Sequence, residues 1–188
     1  GSSGCVLSLV PHLDAASVVD IVRRVENATG VMEAGLSAVR DGISSLKTWS
    51  GKKQATLVYD SGACGWDHAK FNGVMRTPSN AVIGITGAGD VFGGFVGVAV
   101  TDTGRFLRDD GLFAFSFFSH GRCDVPQRWG LRKDRHNSGN ETITFHPLSN
   151  KFIRFGSNWG FYVADSPNGS RVCCPSNLFD GLGDDVLT

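Results

Sequence analysis

The segment Val91-Phe-Gly-Gly-Phe-Val-Gly-Val-Ala-Val100 combines β-branched and aromatic residues with closely spaced glycines. This composition predicts a strand, in which glycine lets neighbouring chain segments approach closely. Leu112-Phe-Ala-Phe-Ser-Phe-Phe118 follows with aromatic residues at alternate positions, which predicts a second strand. Gly87-Ala-Gly-Asp90 has the composition of a hairpin turn and joins the first strand to a preceding one at Ala81-Val-Ile-Gly-Ile-Thr86.

Short segments of strand-like composition also lie on both sides of these strands. The chain has 25 glycines and 13 phenylalanines, which favours many tight turns between short buried strands. A mainly β (α+β) fold is therefore predicted, an antiparallel β-sandwich with a few short helices. Further strands are predicted at Ala55–Asp60, Trp129–Arg132, Glu141–His146, Lys151–Phe155 and Gly160–Ala164, and a short helix at Gly65–Met75.

Before Trp49 the apolar residues follow a helical spacing, at alternating intervals of four and three residues. This pattern predicts a long helix in an N-terminal segment, 1–48, ahead of a β domain at 49–188. Two alternatives stay open, a coiled coil that pairs the chain with another copy or a partner, and an amphipathic helix that packs on its own domain. The seam consists of Val18, Val22, Val25, Met32, Leu36, Val39, Ile43 and Leu46, interrupted by Thr29.

Composition and charge exclude several classes of function. Acidic and basic residues balance at 18 each, so no overall charge draws the chain to nucleic acid or an anionic membrane. No apolar run is long enough for a membrane span. The stretch 1–10 lacks the basic region of a signal peptide and is interpreted as a frayed lead-in. The five cysteines are irregularly spaced, which indicates a reducing compartment, cytoplasmic or alternatively nuclear.

An ordered series of motifs resembles the TLDc domain family. Gly89–Phe95 and Leu112–Phe117 are similar to the family's "vFGgf" and "FlFsf" strands, and Leu57–Ser61 to its opening strand. Phe155–Val163 resembles its glycine-rich strand, and Cys174–Phe179 the loop that follows.

This resemblance implies a TLDc-like β-sandwich that acts without a cofactor as a non-enzymatic protein-interaction or regulatory module. Members of the family are associated with protection from oxidative stress and with binding to the vacuolar proton pump (V-ATPase). The family adds one more strand beyond 185–188, so the resemblance also implies an open strand edge, which favours pairing with another chain.

The predicted contact surface for a protein partner is Arg122, Arg128 and Trp129, which cluster beyond a hydrophobic strand. Arginine and tryptophan are enriched at binding hot spots. Trp66 and Trp159 lie in predicted loops and are two further candidates.

Two alternatives come from other functional classes. Cys64, His68, His120 and Cys123 together offer the two sulfur and two nitrogen ligands of a zinc site, or a thiol with a histidine base for an enzyme. Cys123 also lies beside Arg122, a setting that favours a redox-sensitive thiol.

The second alternative is nucleic-acid binding by the basic stretch from Arg122 to Arg135, with Trp129 as a stacking platform. Asp124 and Asp134 reduce the positive charge of this stretch.

Overall fold

A computed structural model of the chain describes residues 3–10, 33–61, 65, 67–85, 90–119, 122–123, 125–132, 143–145, 151–155, 160–164, 171–173 and 179–182. The helices in this part are α1 (Glu33–Ser50) and α2 (His68–Met75). The strands are β1 (Ser3–Val10), β2 (Gln54–Asp60), β3 (Asn80–Ile85), β4 (Val91–Val96), β5 (Phe106–Leu107), β6 (Phe113–Phe118), β7 (Gln127–Gly130), β8 (Ile143–Phe145), β9 (Lys151–Phe155), β10 (Gly160–Ala164) and β11 (Arg171–Cys173).

The strands form two antiparallel sheets. The first sheet has six strands in the order β2-β1-β3-β4-β6-β7, and the second has five in the order β11-β10-β9-β8-β5. Each neighbouring pair is antiparallel. The mainly β class predicted from the sequence is confirmed, with two helices in the described part of the chain.

Residues Ser3–Val10 form an interior strand of the first sheet, so the interpretation of this stretch as a frayed lead-in is wrong. β1 lies between β2 and β3, and Cys5 pairs with Asp60 on one side and with Ile83 on the other. The apolar character of Val6-Leu7-Ser-Leu9-Val10 suits a strand enclosed by two others. The segment 1–48 therefore contributes a strand to the first sheet as well as a helix.

One face of the first sheet packs against α1. The side chains buried there form the helix-side cluster, which comprises Ile43, Leu46, Ala55, Ala81, Ile83, Val91, Phe95, Phe113, Phe115 and Phe117. Ile43 and Leu46 are only 1% and 0% exposed, so these two seam positions already lie in the chain's own core. Their burial favours intramolecular packing over a coiled coil at this end of the helix. Val18, Val22, Val25 and Met32 lie outside the described residues, as do the side chains of Leu36 and Val39.

The opposite face of the first sheet contributes to a second cluster, which also contains side chains of the second sheet. This inter-sheet cluster includes Ala114 and Trp129 from the first sheet and Ile143, Ile153 and Phe155 from the second. The two clusters follow from the strand repeat, because successive side chains point to opposite faces.

The paired glycines of β4 serve these two faces separately. A Cβ on Gly93 would collide with the Val82 carbonyl and lie 2.7 Å from Phe115 Cζ, on the helix side. A Cβ on Gly94 would overlap the Phe155 ring, on the inter-sheet side. Because neighbouring atoms lie close to β4 on both of its faces, neither position has room for a side chain.

A β-bulge in β2 places Leu57 and Tyr59, two residues apart, on opposite faces of the sheet. Val6 pairs with Tyr59 and the next residue, Leu7, pairs with Leu57, so that Val58 is an extra residue on β2. Leu57 packs against the helix-side cluster, whereas Tyr59 belongs to the inter-sheet cluster. The Tyr59 hydroxyl donates to the Gly65 carbonyl at 2.8 Å and accepts from the Asp67 amide at 3.1 Å. The bulge thereby fixes the approach to α2.

Most predicted strands are present, with shifts at their ends. β4 stops at Val96 rather than at Val100, because the Gly97 amide donates to the Asp109 carboxylate at 2.6 Å. β5 and β11 were not predicted, since strands of two and three residues are too short to show a period. Neither α1 nor α2 is long and apolar enough to cross a membrane.

Candidate functional site

The predicted contact residues Arg128 and Trp129 lie on opposite faces of β7. Arg128 pairs with Phe115 of the helix-side cluster, and Trp129 pairs with Ala114 of the inter-sheet cluster. Trp129 is 9% exposed and packs in the core. Trp129 therefore offers little surface to a partner, because strand alternation turns the residue next to Arg128 inward.

The Arg128 guanidinium lies against two aromatic rings at the end of α1. Its Cζ atom is 6.0 Å from the Trp49 ring centroid and 5.7 Å from that of Phe113. The two rings meet edge to face, with centroids 6.1 Å apart. Cation–π contacts within about 6 Å are attractive, and they hold the long arginine side chain in one orientation.

A hydrogen bond completes the placement of this side chain. Arg128 Nη1 donates to the Trp49 carbonyl at 3.2 Å, on the exposed side of the protein. Trp49 is in the last turn of α1, so Arg128 also satisfies one of the carbonyls that a helix leaves unpaired at its C-terminus. In the described part of the chain no carboxylate forms an ion pair with Arg128. A guanidinium has five N–H donors, so most remain available.

Arg128 forms one wall of an open surface cavity of about 340 Å³. The lining of this cavity, the Arg128 groove, comprises Asp110, Gly111, Leu112, Phe113, Arg128, Gly130 and Leu131. Phe113 and Leu131 give it apolar surface. On the other wall Asp110 is paired with Arg108, at 2.9 Å between Oδ1 and Nε. The groove therefore combines one exposed cation with a lining that is part polar and part apolar.

Asp109 holds the turn that carries this other wall. It is 2% exposed, and its carboxylate accepts the Gly97 amide at 2.6 Å and the Gly111 amide at 2.9 Å. Burial raises the pKa of the Asp109 carboxyl above its ordinary value of 3.8, and hydrogen bonds from the backbone amides of Gly97, Gly111 and Val98 oppose that rise. Asp109 thus joins the end of β4 to the turn before β6.

The backbone edge of β7 offers little room for another strand. Pro126 precedes β7 and has no N–H to donate. At the other end the Asp180 amide donates to the Gly130 carbonyl at 2.9 Å, and Leu131 bridges to Phe179. These features limit main-chain pairing at β7 to the middle of a four-residue strand.

Arg122 lies apart from the Arg128 groove and is engaged within the chain. Its Nε donates to Ser119 Oγ at 3.0 Å, and its Nη2 is 3.7 Å from Asp90 Oδ2. Ser119 follows β6 and lies four residues beyond Phe115, the partner of Arg128. At about 3.3 Å per residue, Ser119 and Phe115 lie roughly 13 Å apart along the sheet, so the two arginines contact separate parts of it. The predicted pairing of Arg122 with Arg128 in one contact surface is not observed.

Burial decides the outcome for Cys123. The thiol is 2% exposed, belongs to the inter-sheet cluster and lies 3.7 Å from the Val125 carbonyl. A cysteine sheltered in this way is inert toward oxidants unless the core opens, which counts against the redox-thiol prediction.

The proposed zinc or thiol-enzyme set is only partly within the described residues. His68 begins α2 and is half-buried, while Cys64 and His120 fall outside the described part, as do Trp66, Trp159, Lys133 and Arg135. Among the residues that the structure describes, no group of three or more His, Cys, Asp or Glu side chains could hold a metal ion.

The sequence interpretation did not identify the support of the groove. Trp49 lies three residues after Leu46 and so falls on the same stripe of α1, a signal that was available. Phe113 alternates with Phe115 and Phe117 on β6 and shares their face. The long-range contact that brings Trp49 and Phe113 together under Arg128 has no local signal.

Comparison of the chain with protein-family models, with curated proteins and with solved structures finds no match.

Proposed function

We propose that this chain is a non-enzymatic interaction domain that binds a protein partner at the Arg128 groove. The observation that carries this proposal is an exposed guanidinium held on two aromatic rings at the wall of an open cavity. Arginine and aromatic side chains in such a setting are the usual anchors of protein interfaces.

The restraint on Arg128 favours binding. A free arginine side chain loses considerable rotamer entropy when a ligand immobilises it, at roughly 0.5–1.5 kcal/mol per rotamer-rich side chain. Here the stack on Trp49 and Phe113 and the hydrogen bond to the Trp49 carbonyl have already fixed the guanidinium. A partner therefore meets a preorganised cation.

The finer architecture that we propose is a TLDc-like β-sandwich preceded by a long N-terminal helix. The sequence resemblance supports it, and the inter-sheet cluster and the helix-side cluster are compatible with it. On the same basis we propose a cytoplasmic regulatory role linked to oxidative stress, with a subunit of the vacuolar proton pump as the first partner to test.

The test of the proposed function is a selection of random peptides displayed on phage against the full chain. Enriched peptides are then measured for binding to the wild type, to Arg128→Gln and to Arg105→Gln. Arg105 is an exposed arginine just before β5 and outside the groove, so it is a matched control for the loss of one charge. Urea unfolding of each variant verifies that the fold is intact.

The proposed function predicts peptides whose binding is lost in Arg128→Gln and kept in Arg105→Gln. Absence of any enriched peptide family, or peptides that bind folded Arg128→Gln as well as the wild type, would remove the groove as an interaction site.

A further inference from the structure

We infer that the Arg128 groove recognises an acidic peptide segment, in which a carboxylate pairs with the Arg128 guanidinium and a neighbouring aliphatic side chain occupies the cavity. This inference rests on the proposed function and specifies the chemistry of the partner.

Charge complementarity points to a carboxylate. Arg128 is exposed, and its hydrogen bond to the Trp49 carbonyl uses one of its five N–H donors. The planar guanidinium matches a carboxylate in a two-point arrangement, and hydrogen bonds between charged groups are roughly twice as strong as neutral ones. The aromatic rings beneath Arg128 exclude water from one side of it, which strengthens attraction to an anion.

The cavity beside this cation has room for a side chain. Its volume of about 340 Å³ is at the lower end of the range for ligand pockets, too small for a large cofactor and sufficient for part of a peptide. Phe113 and Leu131 supply its apolar surface. An aliphatic side chain next to the carboxylate would bury against them.

The opposite wall limits where negative charge is accepted. Asp110 lines the cavity and is partly neutralised by Arg108, at 2.9 Å. A second carboxylate on the ligand placed toward this wall would face Asp110, so we expect a single acidic residue in the groove rather than an acidic run.

The mode of binding follows from the closed edge of β7. Pro126 and the contact of Asp180 with Gly130 leave little backbone for strand addition. Side-chain contacts must therefore supply most of the affinity, and the bound segment need not be an extended strand.

Two short peptides test this inference by titration into the isotope-labelled full chain, followed by NMR. The first is acetyl-Ala-Glu-Leu-Ala-amide, and the second replaces its glutamate by glutamine, which keeps the shape and removes the charge. We expect the acidic peptide to shift the amide signals of Phe113, Arg128 and Leu131 and to bind at least about tenfold more tightly than the neutral one.

Variants separate charge pairing from structural effects. Arg128→Gln should lower the affinity for the acidic peptide at least about tenfold and leave that for the neutral peptide nearly unchanged, whereas Arg105→Gln should change neither. Arg128→Lys keeps the charge but not the two-point geometry, and should give an intermediate affinity.

The inference falls if the two peptides bind equally, or if the peptides selected in the display experiment lack a carboxylate. An Arg128-dependent peptide family without an acidic residue would overturn this inference while leaving the proposed function in place. If no peptide binds in a way that depends on Arg128, both this inference and the proposed function are overturned.

Discussion

Gly42 lies within α1 directly over the Phe117 ring, and a Cβ at this position would overlap the ring. In a solvent-exposed helix, replacing glycine by alanine stabilises by about 1 kcal/mol. Here the clash dominates, because the helix must move off the sheet, and we expect Gly42→Ala to lower the free energy of unfolding by roughly 1–3 kcal/mol. Urea denaturation followed by circular dichroism measures this change.

Gly73 in α2 provides the matched control for Gly42. It is exposed, and a Cβ there would meet nothing within 4 Å. Gly73→Ala should therefore stabilise the protein, by up to about 1 kcal/mol. If Gly42→Ala proves more stable than the wild type, α1 does not pack on Phe117 as described.

The buried carboxylate of Asp109 gives a second prediction for a single residue. Asparagine has one accepting oxygen, so Asp109→Asn leaves either the Gly97 or the Gly111 amide facing an NH2 group. An unsatisfied buried amide costs roughly 1–3 kcal/mol, and we expect Asp109→Asn to be destabilised by that order.

The cost of this substitution should depend on pH. Because the pKa of Asp109 is raised above 3.8 in the folded state, the unfolded chain releases its proton first as the pH increases. The wild type therefore loses the stability that this group contributes as the pH rises from about 3.8 through the raised pKa of the folded state. The asparagine variant has no carboxyl group here and does not lose it. The destabilisation by Asp109→Asn should thus be larger near pH 4 than near pH 7, with the exposed Asp102→Asn as the control. A cost that grows with pH would contradict the raised pKa.

At the scale of elements, the strand β4 is enclosed along its whole length, with six buried residues in succession. Gly93→Ala introduces a Cβ against the Val82 carbonyl, a backbone atom that has no rotamer to change. We expect a loss of roughly 1–3 kcal/mol or more in the free energy of unfolding. Gly130→Ala in β7 meets nothing within 4 Å and should leave the stability nearly unchanged. Equal effects of the two substitutions would show that the approach of β3 to β4 is looser than described.

The sequence predicted the individual strands better than it predicted which strands pair with each other. The strands β2, β3, β4 and β6 of the first sheet were predicted because runs of apolar and aromatic residues are bounded by turn residues. β1 was missed because a short apolar run next to Pro11 has no repeat long enough to distinguish a strand from a lead-in. Its place between β2 and β3 depends on contacts more than forty residues distant in sequence, which no local pattern encodes.

The site was predicted only in part, for a related reason. Arg128 was identified by residue type, and its place at a surface cavity is consistent with that choice. Trp129 was grouped with it because the two are adjacent in sequence, although adjacency in a strand places side chains on opposite faces. Arg122 was grouped by charge, and its contacts with Ser119 and Asp90 could not be foreseen without the tertiary structure.

For the whole molecule, the position of β1 determines what an N-terminal deletion will do. Removal of 1–48 would take away an interior strand of the first sheet together with most of α1, and would expose the helix-side cluster. We expect the truncated chain to lose cooperative unfolding in urea and to aggregate, as measured by light scattering, because an exposed apolar sheet face promotes association.

A milder variant, compared with the truncated chain, distinguishes this outcome from loss of a coiled coil. Ile43→Ala should destabilise the full chain by roughly 2–5 kcal/mol, since the side chain is 1% exposed. It should leave the oligomeric state, measured by light scattering, unchanged. A truncated chain that unfolds cooperatively at the wild-type midpoint, and that is monomeric where the full chain is dimeric, would instead support pairing through the helix.

The bulge at Val58 leaves one residue of slack in the edge strand β2. Because Leu7 and Val6 pair with Leu57 and Tyr59 in succession, excising Val58 would convert the bulge into regular pairing without reversing either neighbour. Excising Thr56 would instead invert Gln54 and Ala55 relative to the sheet. The variant that lacks Val58 should unfold at nearly the wild-type urea midpoint, and the variant that lacks Thr56 well below it. We therefore expect β2 to keep its register when it is shortened at the bulge and to lose it when it is shortened at Thr56.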